Sequence, residues 1–163
     1  MKTRAMITAG LIALFAIAGC AQPYHMKTKF EPGSTDWAKG DGTATIEGQG
    51  FMMTMGGTPR TCAGRRVTLT PATAYTIELT SASLKPFVST IVHDPNEVIP
   101  TRATTCNVRG EFTFRNLPAG NWIVLTSALW VAGVGRYSSV EGGLIFEFVT
   151  TKENKTSEVL VTQ

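Results

Sequence analysis

Gly110-Glu-Phe-Thr-Phe-Arg-Asn-Leu-Pro-Ala-Gly-Asn-Trp122 is the stretch whose reading decides the fold. Phe112 and Phe114 alternate with Glu111, Thr113 and Arg115, so the two rings point to one face of a short strand. Leu117-Pro118-Ala119-Gly120 follows with proline second and glycine fourth, a turn composition, and Trp122 opens the next strand. Upstream, Asn107-Val108-Arg109-Gly110 is a second turn with asparagine first and glycine fourth. Two strands punctuated by tight turns are the signature of a β protein.

The period-two pattern extends in both directions. Thr43 to Phe51 sets Ala44, Ile46 and Gly48 against Thr45, Glu47 and Gln49. Arg65 to Thr70 carries Val67 and Leu69 on one face, and Arg102 to Val108 reads as a further strand. Asn121 to Val131 is apolar on both faces, with Trp122, Val124 and Ala128 against Ile123, Leu125, Leu129 and Val131, which marks a central strand. Gly143 to Thr150 alternates Leu144, Phe146 and Phe148 with Ile145, Glu147 and Val149, and Ser157 to Thr162 closes through Val159 and Val161. These seven strands at short spacing predict an all-β antiparallel sandwich over residues 43–163. Ala132 to Glu141 reads as a loop of small residues. Between Pro71 and Pro100, Ala74, Ile77, Leu79 and Leu84 suggest a short helix over Ala72 to Leu84. One extended piece is expected around Phe87 to Val92, within an insertion broken by Pro86, Pro95 and Pro100.

The phrase "Gly-x-Phe-x-Phe-x-x-Leu-Pro-Ala-Gly-x-Trp" at 110–122 resembles the signature of carboxypeptidase regulatory-like domains, seven-stranded sandwiches of the transthyretin (prealbumin) type. Gly64-Arg-Arg-Val-Thr-Leu-Thr-Pro71 is similar to their second strand. Thr61-Cys-Ala-Gly-Arg-Arg-Val-Thr-Leu-Thr-Pro-Ala-Thr-Ala-Tyr75 also resembles a segment of proteobacterial lipoproteins, a likeness that brings no activity with it.

The N-terminus gives the chain an address. Lys2 and Arg4 precede an apolar run from Leu11 to Ala18, a secretory signal too short for a spanning helix. Ile17-Ala18-Gly19-Cys20 looks like a lipobox, in which small residues admit the peptidase and the Cys20 thiol carries the lipid. The expected division is therefore a signal peptide (1–19), a lipidated cysteine with a polar tether (20–42), interrupted by Tyr24, Phe30 and Trp37, which could pack on the domain, and the sandwich (43–163). A lipid on Cys20 makes the membrane a partner, because each buried methylene contributes about 0.8 kcal/mol. Ala21 stands where aspartate would favour inner-membrane retention, so the outer membrane of a bacterial envelope is the expected location.

The whole chain has 15 basic and 12 acidic residues, and removing Lys2 and Arg4 leaves 13 against 12. Scattered basic residues give no nucleic-acid footprint. With Cys20 assigned to lipid, Cys62 and Cys106 form an even pair in an oxidising compartment, read as a disulfide. A thiol metal site is the weaker reading, since neither CxxC spacing nor a nearby histidine accompanies them.

Catalysis finds little to work with. Enzymes on transthyretin-like folds need histidine-rich sites, yet His93 is the one histidine within 43–163. His93-Asp94 with Glu97 fits no zinc spacing, and Pro95 interrupts any helix through it. Met52, Met53 and Met55 are thioethers suited to Cu(I), or else hydrophobic filler at a strand end. No cofactor or metal is assigned. The expected role is a non-enzymatic envelope lipoprotein contacting a protein partner or giving structural support. Its candidate contact loops are Met52 to Arg60, Lys85 to Thr101 and Gly133 to Glu141, carrying Met52, Met53, Met55, Phe87, His93, Arg136 and Tyr137. The alternative is a carbohydrate-binding module using Trp37, Tyr75, Trp130 or Tyr137 as stacking platforms.

Overall fold

Ala44, Ile46, Gly48 and Gly50 face inward on a strand that alternates with Thr45, Glu47 and Gln49, and this strand organises one sheet of the protein. The structure is a computed structural model and describes residues 21–162. Cys20 and the signal segment lie outside the described residues. The described chain begins with β1 (Gln22–His25), and β2 (Ala44–Met53) follows after a 3-10 turn at Asp36–Ala38. The first sheet sets β2 between β7 (Glu111–Leu117), antiparallel to it, and β10 (Thr156–Val161), parallel to it. A short β3 (Pro59–Thr61) folds back on the end of β2. The second sheet has the order β6 (Arg102–Thr105), β4 (Arg66–Pro71), β8 (Gly120–Ala132), β9 (Ser139–Thr151), antiparallel throughout.

Each of the seven strands expected from the alternation is present, so the all-β sandwich stands. Within the two sheets of the sandwich, the parallel β2–β10 pairing departs from the antiparallel expectation. β9 and β10 are joined by a tight turn but lie in different sheets, so β10 returns alongside β2 in the same direction.

Between the sheets lie Ile46, Val67, Leu69, Phe112, Phe114, Leu117, with Trp122 fully buried among them. A Cβ on Gly48 would fall 2.4 Å from the Phe112 ring and 2.7 Å from Val159, so the core is filled from neighbouring strands and glycine is required there. Gly110 closes the Asn107 turn with φ +80°, and the Asn107 side-chain carbonyl accepts from the N–H groups of Arg109 (2.9 Å) and Glu111 (3.0 Å). Cys62 and Cys106 are joined as expected, Cα to Cα 5.8 Å, and both are buried.

The outer face of the second sheet is covered. Helix α1 (Ala74–Ser83) starts at Thr73, whose hydroxyl accepts from the Thr76 N–H while the Thr76 hydroxyl accepts from the Thr73 N–H, a reciprocal cap. Its buried residues are Tyr75, Thr76, Thr80 and Ala82, while Ile77 and Leu84 are exposed, contrary to the apolar side read from the sequence. Threonine can be buried here because the Thr76 hydroxyl donates to the Pro71 carbonyl at 2.6 Å.

Two further expectations are corrected. Residues 22–42, read as a tether, are folded onto the domain. β1 pairs in parallel with β5 (Val88–Val92), Phe30 packs edge-on against Tyr75 at 5.5 Å, and Trp37 meets Trp122 at 4.8 Å. The ring contacts of Phe30 and Trp37 hold a segment whose backbone composition looks loose. The stretch 132–141, read as a loop, is largely hairpin: pairing of β8 with β9 runs out to Ala132 opposite Ser139, leaving a tip with a 3-10 turn at Gly135–Tyr137.

Candidate functional site

Strand direction gives the sandwich two unlike ends. β2 and β10 run side by side and finish together, Gly50 opposite Val161, and β2 then turns through Met55 into β3. The Asn107 turn joins this end, since the Gly50 N–H donates to the Gly110 carbonyl at 2.9 Å. The last turn of α1, β9 and the exit of β10 also meet here, where Ser83, Leu84, Gly142, Phe146 and Thr162 line one hollow of about 360 Å³. Phe87 follows three residues after Leu84, and its carbonyl accepts from the Gln22 N–H at 3.0 Å. The start of the described chain, the Met52 to Arg60 and Gly133 to Glu141 loops and the first part of the insertion with Phe87 therefore lie at one end, here termed the loop end, while the rest of the insertion runs back along α1 to its first turn, where Glu97 meets Tyr75. The far end holds the β7–β8 and β9–β10 turns and Thr43, whose hydroxyl donates to Glu153 at 2.6 Å.

The individual candidates separate on inspection. Phe87 and Tyr137 are open to solvent at 78% and 87%, and Arg136 is exposed beside Tyr137. Met52 packs against the core, whereas Met53 follows it on the opposite face of β2 and Met55 is fully exposed. Met52 and Met53 therefore point to opposite faces of the strand. The aromatic platforms are dispersed as well. Tyr75 is buried, Trp37 packs on Gly120 and Trp122 at the far end, Trp130 lies against Gly142, and Tyr137 sits at the hairpin tip.

His93 stands apart from the loop end, in a polar brace. Its Nδ1 lies 3.0 Å from both Glu97 carboxylate oxygens, the Tyr75 hydroxyl hydrogen-bonds Glu97, and the Asp94 N–H donates to that hydroxyl at 3.0 Å. Burial pushes the Tyr75 phenol above its ordinary value, aided by the bond to Glu97. The geometry ties the insertion to α1. Among the described residues no three His, Cys, Asp or Glu side chains converge as a metal site would require.

A second candidate surface is the outer face of the first sheet, an open hollow of about 680 Å³. Glu47 stands opposite Glu158 on one side and Thr113 on the other, and Gln49 stands between Leu160 and Glu111. Hydrogen bonds from Arg109 at 3.0 and 2.8 Å hold the Glu111 carboxyl below the usual carboxylate range. Carboxylate, amide and hydroxyl groups on one floor match the hydrogen-bonding habit of a polyhydroxylated ligand.

Glu78 is a residue that sequence reading passed over. Its carboxylate accepts from the Tyr24 hydroxyl (2.9 Å) and from the backbone N–H groups of Lys27 (2.8 Å) and Thr28 (2.7 Å), fastening residues 22–30 to α1. Hydrogen bonding by Thr28, then by Lys27, lowers its pKa to about 2. A depressed carboxylate stabilises the fold above its ordinary pKa and loses that contribution as pH falls toward the folded value. The melting temperature of the native chain should therefore drop more steeply than that of Glu78→Gln between about pH 5 and pH 2. At neutral pH the variant should be less stable by about 1–3 kcal/mol, measured by denaturant melts.

No protein-family model matches this chain, and no curated protein matches it significantly. Among solved structures, a protein of Pseudomonas aeruginosa named as a putative carbohydrate-binding protein superposes with a TM-score of 0.71 at 23% identity, covering 83% of this chain and 99% of that one. The minor pilin of Streptococcus agalactiae reaches a TM-score of 0.38 at 14% identity over 75% of this chain and 44% of its own. The first likeness agrees with the β-sandwich architecture.

Proposed function

We propose that this protein is a non-enzymatic, lipid-anchored component of the bacterial envelope, whose sandwich serves as a contact module for other envelope components. The observation that carries this reading is the meeting of Phe87, the Met52 to Arg60 loop and the Gly133 to Glu141 hairpin tip at the end where the chain enters from Cys20. A module attached through one end and formed of rigid strands has the architecture of a presenting scaffold. The lipobox at 17–20 supports the same placement. Crosslinking in intact cells, comparing the native chain with Cys20→Ala, tests it. Loss of membrane fractionation together with loss of specific partners is the expected result; unchanged fractionation and partners would sink the anchored-module reading.

A carbohydrate ligand is the second reading, favoured by the polar hollow over β2, β7 and β10 and by the name of the Pseudomonas neighbour. Glycan-array binding that disappears in Gln49→Ala and Glu158→Ala is its expected signature. An array without hits would remove it.

A further inference from the structure

We infer that the loop end is a membrane-docking face, seated on an anionic lipid bilayer by apolar side chains ringed with basic ones. The inference rests on the proposed lipidation of Cys20 and names the surface that the contact end meets first. Its starting point is the distance between anchor and fold. Cys20 precedes β1 by two residues, and an extended chain spans at most about 3.6 Å per residue, so the anchor can stand only about 7 Å from Gln22. β1 is held to β5 from its first residue, and the Gln22 N–H is bonded to Phe87. With no slack between lipid and strand, this end of the sandwich must lie at the bilayer surface.

The side chains found there suit that position. Phe87 has φ +64°, unusual for a bulky residue, and presents its ring to solvent beside the anchor point. Beyond α1, the β8–β9 hairpin projects Val131 (68% exposed), Val134 (86%), Tyr137 and Val140 (72%), and the β2–β3 connection adds Met55. Water is a poor environment for so many large apolar groups at one end. Interfacial burial of aliphatic and aromatic side chains is favourable, and aromatic rings are characteristic of the headgroup level.

Charge at the loop end is on balance basic, with Glu141 in the hairpin and the Arg109–Glu111 pair set against a larger number of cations. Arg60, Arg65, Lys85 and Arg136 are exposed there, and none pairs with a carboxylate among the described residues. Lys85 lies instead over the Tyr24 ring at 4.2 Å. Basic residues near an anionic surface each contribute about 1 kcal/mol of attraction. The far end mixes signs, with Asp36 and Lys39 paired and Glu153 between Lys152 and Lys155. Among the described residues no helix is long and apolar enough to cross a membrane. Docked this way, the sandwich stands upright and leaves the polar face of the first sheet open to an envelope ligand.

Site-directed spin labelling tests the geometry. The full chain, processed in cells and reconstituted in vesicles of phosphatidylethanolamine and phosphatidylglycerol, carries a nitroxide at Val134→Cys or at Lys152→Cys. Mass spectrometry of the N-terminal peptide reports whether Cys20 is acylated. The expected result is that the label at 134 gains accessibility to oxygen and loses it to a water-soluble nickel chelate, while the label at 152 stays in water. Adding Arg60→Glu, Lys85→Glu and Arg136→Glu should return the label at 134 to water. If both labels stay in water while Cys20 is acylated, the docking face is overturned and the anchor stands. Spin–spin broadening between water-exposed labels at 134 would give the face to a second copy and also overturn the proposal. An unacylated Cys20 brings down anchor and docking together.

Discussion

Trp122→Ala should destabilise the protein by about 3–5 kcal/mol, the range for removing a fully buried tryptophan from a packed core. The cost is high because Trp122 does three things. Its ring fills the space between the sheets; its Nε1–H donates to the Thr151 hydroxyl at 3.0 Å; and its edge meets Trp37 at 4.8 Å. The Thr151 hydroxyl passes the connection on by donating to the Pro118 carbonyl at 2.8 Å, which fixes the turn that precedes β8. Trp37 in turn occupies the space over Gly120, where a Cβ would collide with its ring. Alanine therefore leaves a cavity, an unpartnered lone pair on Thr151 and a loosened N-terminal segment. Trp122→Phe retains most of the volume and should cost less, about 1–2 kcal/mol with the hydrogen bond removed. Urea melts of the two variants measure the difference. Equal losses would mean that the indole hydrogen bond, and not the filled volume, dominates this site.

The strands were legible because each states its own burial. Phe112 and Phe114, Val67 and Leu69, and Leu144 to Val149 alternate over enough residues for a period of two to be counted, and seven such segments led to the sandwich. What was illegible depends on tertiary contacts. Residues 22–42 carry turn-forming Pro and Gly between isolated aromatics, and nothing in that spacing says that Phe30 finds Tyr75 or that Trp37 finds Trp122. Helix α1 buries threonines whose hydroxyls are satisfied locally, so its apolar side, read from Ile77 and Leu84, pointed the wrong way. The small residues of 132–141 concealed a hairpin because Gly133 and Gly135 look like loop formers, yet their positive φ serves only a short tip on a ladder that runs out to Ala132 opposite Ser139. The candidate loops could be named singly from the sequence. That Phe87, the β2–β3 connection and the β8–β9 tip share one end, and that His93 does not, depends on strand directions such as the parallel β2–β10 and β1–β5 pairings, which no local pattern encodes.

Replacing both Cys62 and Cys106 with alanine should lower stability by about 4 kcal/mol in the chain-entropy model, from a sequence separation of 44. Backbone bonds bracket the bridge independently: Gly64 N–H to the Cys106 carbonyl and Cys106 N–H to the Arg65 carbonyl, both 3.0 Å. The native arrangement of β4 and β6 should thus survive in the variant, and the loss falls chiefly on the unfolded state, which the crosslink otherwise keeps compact. That assignment has its own signature. Opening the unfolded chain exposes more surface, so the denaturant dependence of the variant should be steeper as well as its midpoint lower. A lower midpoint with an unchanged slope would place the effect in the folded state instead. Such strain would be felt at the loop end, since a Cβ on Gly50 would touch the Cys62 sulfur at 2.8 Å and the Gly50 N–H anchors the Asn107 turn. The disulfide therefore connects the stability of the sandwich to the shape of its contact face. Hydrogen exchange at Gly50 and Gly110, compared with exchange in the middle of β8, separates a local loosening of that face from global unfolding.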